Sequence, residues 1–364
     1  MPKHRLASSP KNRLNLSPDR PDFPENRLGL PKNRLGHALV GAVVAVGTVA
    51  SGAATAQAAT VQTGAPQTGA ATVQTGAPQT GAGTLLPLTP PAGGEAARSK
   101  APAVLGRAAY LVDASTGDVR LSKGADRRMP VASLTKVMTA YIVLREARPT
   151  DTVTITPEDV WYAQAGGGTS AYLRVGDRLS VEDLLYGLML PSGADAAHAL
   201  ARAYGPGVAG FTAKMNATAR ELGMRDTRYL NADGLPTPEG EGYSTARDQT
   251  RLAEIALRNP ALVKITSTRR HTTPRTADHR AYTWHNTNKL LGSPGALGLK
   301  TGFTRAAGYS LAFAADSHNH RLVGVILGET VSGRRFQTAR ALLDWAARET
   351  TAGDGRGGSA RNHR

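Results

Sequence analysis

Ser133 and Lys136 stand three residues apart in Pro130-Val131-Ala132-Ser133-Leu134-Thr135-Lys136, which runs on into Val137, Met138, Ala140, Tyr141, Val143 and Leu144. These apolar residues recur at helical spacing and proline is a common entry signal, so Ser133 is predicted near a helix N-terminus. A serine hydroxyl is a poor nucleophile until a base takes its proton, and an amine on the same helix face is that base when it is neutral. Burial and a second cation both disfavour the ammonium form, and Lys300 is the candidate second cation. Backbone N–H groups at a helix start favour negative charge developing on a substrate oxygen. The chemistry implied is acyl transfer through a serine ester. A plain N-cap serine followed by a surface lysine is the alternative, and it leaves two further segments unexplained.

The first of these is Ser192-Gly193-Ala194. It follows Val181 to Pro191, a helical run stopped by its proline, and precedes a second helix expected over Asp195 to Ala203. Ser192 then offers a hydroxyl from the loop, able to shuttle a proton between Lys136 and a leaving amine, and doubles as an N-cap for the second helix. The other segment is Lys300-Thr301-Gly302, within Leu297 to Thr304. Two more strand-like runs follow, Tyr309 to Ala315 and Leu322 to Gly328, with Asp316 to His320 as their hairpin turn. A Lys-Thr pair on an edge strand holds a carboxylate through one charge-assisted and one hydroxyl hydrogen bond. Gly302 lets a substrate backbone approach the strand. The N–H of Phe303 is the second oxyanion donor, beside that of Ser133.

Three such segments in this order resemble the low-molecular-mass penicillin-binding proteins, the serine-type D-alanyl-D-alanine carboxypeptidases. Further stretches carry the resemblance: Gly168-Thr169-Ser170, Val175-Gly176-Asp177 and Ser180 to Leu185 before the second motif; Met215-Asn216, Leu222-Gly223-Met224 and Thr227; Tyr243 to Ala246 with Asp248; and Asn286-Thr287-Asn288-Lys289-Leu290-Leu291 before the third. The resemblance implies an α/β fold of the penicillin-binding protein and serine β-lactamase type. In that fold an antiparallel sheet is covered by helices, with a helical lobe and the site in the cleft. It implies catalytic Ser133, Lys136 and Ser192, and substrate-binding Lys300, Thr301, Gly302 and Phe303, without metal or cofactor. The substrate implied is a peptidoglycan stem peptide ending in D-Ala-D-Ala, with β-lactams as covalent inhibitors.

One position departs from the family. Ala194 stands where an asparagine is usual, and a missing amide contact costs about 1–3 kcal/mol of transition-state binding. That shifts expectation toward D,D-transpeptidation or a low-activity wall-binding homologue. A class A β-lactamase carries a base glutamate in Glu-x-x-Leu-Asn; the matching place before Leu230-Asn231 is Thr227, which is no base.

The N-terminal third reads as an export and tether apparatus. Residues 1–37 carry eight Lys or Arg against three Asp or Glu, Ala38 to Ala50 is small and apolar, and Ala56-Gln57-Ala58 is a small-x-small cleavage site. Residues 1–58 are thus expected to be a signal peptide with a long basic lead, directing the chain to the cell wall or holding it at the membrane uncleaved. Residues 59–70 and 71–82 repeat the same twelve residues, and 59–101 is expected to be a low-complexity linker. Residues 102–348 are expected to form the catalytic domain and 349–364 a polar tail, with no further C-terminal domain.

The chain has no cysteine, which excludes disulfides and thiolate chemistry, and a net charge of +16. That charge raises a nucleic-acid binder as rival, with Arg269-Arg270-His271, Arg275 and Arg280 as its patch. The chain lacks a recognisable nucleic-acid-binding motif and reads as exported, so no nucleic-acid partner is expected; a basic surface suits anionic wall polymers equally well. His318-Asn319-His320 lies in a polar turn without partners for zinc, and His198 reads as structural.

Overall fold

Ala108-Ala109-Tyr110-Leu111-Val112 is apolar at every position, the pattern of a strand covered on both faces. In the computed structural model, which describes residues 99–359, this run is β1 (Ala108–Asp113), and every residue of it is buried. The export segment 1–58 and nearly all of the linker lie outside the described residues.

In chain order there follow β2 (Val119–Lys123), a 3-10 turn (Ala132–Thr135), α1 (Lys136–Glu146), β3 (Thr152–Thr154), α2 (Pro157–Ala165), β4 (Arg178–Ser180), α3 (Val181–Met189) and α4 (Ala194–Tyr204). Then come α5 (Gly207–Glu221), α6 (Ala246–Ala256), α7 (Pro260–Ser267), β5 (Arg270–Thr273), β6 (Tyr282–His285), β7 (Ala296–Thr304), β8 (Gly308–Ser317), β9 (His320–Glu329) and α8 (Arg334–Ser359). The main sheet has the order β2-β1-β9-β8-β7, and its neighbours pair antiparallel. Its β7 lies at the edge, as Lys300-Thr301 requires.

Alternation along the strands sorts side chains to two faces. Ala109, Leu111, Leu311, Phe313 and Ile326 pack under Phe336, Ala339, Leu342 and Ala346 of α8. Tyr110, Val112, Ala312, Val323 and Val325 pack with Ala253 and Leu257 and with Val131 and Leu134 on either side of Ser133. A third cluster unites α1, α3, α4 and α5 through Met138, Ile142, Leu184, Leu188, Leu200 and Phe211, and forms the helical lobe.

Boundaries shift by a few residues, each for a local reason. The expected hairpin turn shrinks because β8 runs to Ser317 and β9 starts at His320, leaving His318 at a left-handed φ of 50° beside Asn319. Helix α8 continues to Ser359, inside the segment expected as a polar tail. His320 pairs with Asp113, 2.7 Å from Nδ1 to Oδ2. His198 is likewise paired with buried Asp159, at 2.6 Å.

Candidate active site

Ser133 does not begin an α-helix. It lies in the 3-10 turn, and α1 starts only at Lys136. A 3-10 helix has three residues per turn, so positions i and i+3 eclipse and the two side chains align more directly than on an α-helix. The Lys136 amine donates to Ser133 Oγ at 3.1 Å and to the carbonyl of Asp233 at 3.0 Å. Lys136 is 1% exposed.

Ser192 follows Pro191 at the end of α3 and holds a left-handed φ of 68°. It is not the N-cap of α4. Gly193 takes that place, and the Ser192 hydroxyl meets no hydrogen-bond partner among the described residues, although it is buried. An unpaired buried hydroxyl is costly, and such costs concentrate where a ligand completes the bonding. Left-handed φ values also occur at Ala132, before the nucleophile, and Leu299, before Lys300. Each of the three motifs thus carries a strained backbone position.

On β7, a Cβ at Gly302 would stand 2.8 Å from Leu134 Cδ1 and 2.9 Å from the Val131 carbonyl. What crowds this glycine is the nucleophile turn itself, a reason the sequence did not reveal. The contact packs β7 against the turn that carries Ser133. The Phe303 ring is half exposed and stacks on Tyr309, with centroids 4.4 Å apart. Thr301 Oγ1 lies 2.7 Å from Thr287 Oγ1, while the Thr287 N–H donates to the Leu190 carbonyl at 3.1 Å. Thr287 therefore ties the end of α3, and with it Ser192, to the edge strand. Its neighbour Asn286 donates from Nδ2 to the carbonyls of Thr266 and Thr268.

The electrostatics of the two lysines differ. Burial pushes the Lys136 ammonium below its usual range, and the carboxylates of Asp233 and Asp195 oppose the fall. Lys300 is 0% exposed and is pushed further down, by burial first and then by Lys136 and Arg335. Burial, rather than Lys300, is thus the leading cause at Lys136.

Arg335 was invisible in the motifs. It enters from the first turn of α8, is 8% exposed, and donates from one nitrogen to the Gly302 carbonyl at 2.8 Å and the Ser310 carbonyl at 3.0 Å. Burial brings its guanidinium down to about 10. The segment Asn231 to Leu235 was also missed as part of the site, because only its failure to match a β-lactamase base loop had been legible. Its Asp233 carbonyl is what holds Lys136. Two members of the basic patch weighed for nucleic acid have partners within the protein. His271 stacks on Tyr186 at 3.7 Å and pairs with Asp183, and Arg280 donates to the Tyr172 carbonyl.

A family model described as D-alanyl-D-alanine carboxypeptidase matches residues 95–331. The chain belongs to this family. A D-alanyl-D-alanine carboxypeptidase of Streptomyces sp. (strain K15) is 36% identical over 257 residues, covering 67% of this chain and 88% of the relative. One of Bacillus subtilis is 31% identical, over 66% of this chain and 61% of the relative. This chain thus spans less than two thirds of that longer relative. The crystal structure of the Streptomyces DD-transpeptidase is 35% identical, with a TM-score of 0.64 over 68% of this chain and 98% of that one. The family's fold, an antiparallel sheet with covering helices and a helical lobe, is the fold described above.

Proposed function

We propose that this chain is a penicillin-binding serine D-alanyl-D-alanine carboxypeptidase acting on peptidoglycan stem peptides. The observation that carries the reading is the pair of half-buried Ser133 Oγ and buried Lys136 Nζ, 3.1 Å apart, with Lys300-Thr301-Gly302 on the edge strand. Lys136 in its neutral form takes the Ser133 proton as Oγ attacks the carbonyl carbon of the penultimate D-alanine. The N–H groups of Ser133 and Phe303 receive the oxyanion. The C–N bond then breaks, and the departing D-alanine amine takes a proton from Lys136 through Ser192. Water attacks the remaining ester, releasing the shortened peptide and returning the proton to Ser133. Lys300, Thr301 and Arg335 supply the positive and hydroxyl groups for the terminal carboxylate. Thr227, at the place of the β-lactamase glutamate, spends its hydroxyl on Asp248 at 2.7 Å, which supports a long-lived β-lactam ester.

Ala194 favours a second reading, transfer of the acyl group to an amine rather than to water. It is fully buried, and its methyl lies against Gly168, where relatives of the family place an amide. A Streptomyces relative of known structure is named a DD-transpeptidase. A wall-binding homologue with little turnover is the weakest form of this reading. For location, we propose export to the cell wall through residues 1–58, with 59–101 as tether; among the described residues no helix is long and apolar enough to cross a membrane.

Treatment with a fluorescent penicillin, followed by mass spectrometry of the labelled peptide, tests the proposal. The adduct is expected on the peptide carrying Ser133 and absent from Ser133→Ala. Label elsewhere, or label that persists in the variant, overturns it. D-alanine release with and without an added amino acceptor separates hydrolysis from transfer.

A further inference from the structure

Asp233 is a buried carboxylate whose bonding is incomplete among the described residues. It is 0% exposed; Oδ1 accepts from the Tyr162 hydroxyl at 3.2 Å and the Leu235 N–H at 3.0 Å, while Oδ2 meets no hydrogen-bond partner among the described residues. A buried carboxylate with an idle oxygen is costly unless a positive charge lies close by. The loop that carries it cannot drift. A Cβ at Gly234, whose φ is +82°, would stand 1.9 Å from the Ala132 carbonyl, so the loop is pressed onto the nucleophile turn. Asn231 closes the loop from within, accepting from the Asp233 and Gly234 N–H groups and donating to the Leu235 carbonyl.

The charged and titratable groups facing Lys136 are few. From α4 comes Asp195, from β7 Lys300 with Arg335 of α8 behind it, and from the loop Asp233. Asp195 is spent on Ser170 Oγ and the N–H groups of Ala171, Leu173 and Ala196, so its charge anchors a loop and a helix start. Facing Asp233 from α2 is Tyr162, whose ring stacks on His198 at 4.7 Å, and His198 is itself paired with Asp159. That leaves Lys136 as the charge partner of Asp233.

We infer that Asp233 is a positioning residue for Lys136: its carbonyl aims the amine at Ser133, and its buried carboxylate stabilises the ammonium that Lys136 becomes on accepting the Ser133 proton. The inference rests on the serine–lysine reading above. Its proton balance is that of acylation: the Ser133 O–H bond breaks and an N–H bond forms on Lys136.

The test is the pH profile of penicillin acylation by the full chain. The acid limb reports the loss of the Lys136 proton that frees the amine as base. Asp233→Asn keeps the shape and removes the charge that holds that proton. Its acid limb is expected to move to lower pH by about one pH unit. The plateau rate is expected to fall about tenfold, since a less basic amine is a weaker proton acceptor. Tyr162→Phe keeps the ring on His198 but removes the hydroxyl that shares the Asp233 charge, so the limb is expected to move to higher pH. Opposite displacements support the inference, and a merely structural residue produces neither. If Asp233→Asn fails to fold, the Tyr162→Phe displacement decides. An acid limb that stays in place in every folded variant overturns the inference. A wild-type chain that takes no label overturns the serine–lysine reading itself.

Discussion

The two walls of the cleft treat a buried lysine in opposite ways. On the helical wall, Lys136 donates to two acceptors, Ser133 Oγ and the Asp233 carbonyl, and the carboxylates of Asp233 and Asp195 favour its charged form. On the sheet wall, Lys300 finds a single backbone carbonyl, that of Thr301, and lies between Lys136 and Arg335. The helical wall is equipped to receive and hold a proton. The sheet wall instead disfavours charge on Lys300, whose amine is buried in the company of Lys136 and Arg335. Its natural complement is the carboxylate of a substrate. In the proposed reading, one wall does the chemistry and the other selects what reaches it.

The largest expected effect lies on the helical wall. Lys136→Arg retains a cation that cannot deprotonate near neutral pH, so acylation should fall by roughly a thousandfold or more, with folding intact by thermal melting. Near-normal acylation by this variant would remove the proton-transfer role from that wall.

Next comes the sheet wall. Arg335→Leu takes the guanidinium away from this wall, and KM for D-Ala-D-Ala peptides should rise about tenfold to a hundredfold, more than kcat falls. Donors whose terminal carboxylate is esterified should respond far less. Equal losses for both donors would mean that Arg335 only props up β7 through the Gly302 and Ser310 carbonyls.

The junction of the walls is Gly302. A methyl group there would collide with Leu134 and the Val131 carbonyl. Gly302→Ala should therefore lower stability by about 1–3 kcal/mol and slow acylation together. An unchanged melting temperature with lost activity would show that the glycine serves the substrate rather than the junction.

Smallest is the effect at Ala194. Ala194→Asn should raise kcat/KM on a D-Ala-D-Ala peptide by up to about tenfold, the equivalent of roughly 1.4 kcal/mol. A decrease would mean that the buried site beside Gly168 has no room for the amide.

Much of this was legible because it is local. Ser133 and Lys136 are one turn apart, Pro191 stops α3 just before Ser192, and the runs that became β7, β8 and β9 are short strand-like stretches between turn residues. Those features report backbone preferences over a few neighbours, which a sequence states directly. The spacing also named the chemistry, since serine and lysine three apart make sense as nucleophile and base.

The rest depends on groups brought together from far along the chain. Arg335 meets Gly302 across 33 positions, Thr287 joins Thr301 to Leu190, and Asp233 reaches Lys136 across 97. Their partners are mostly backbone carbonyls, which every residue carries and which therefore leave no mark on a sequence. The choice between a 3-10 turn and an α-helix at Ser133 was likewise made by the packing of Gly302 and Gly234 against that turn. Sequence alone determined which residues could react; the tertiary structure decided their charge and aim, because burial and the company of other charges are properties of the folded interior.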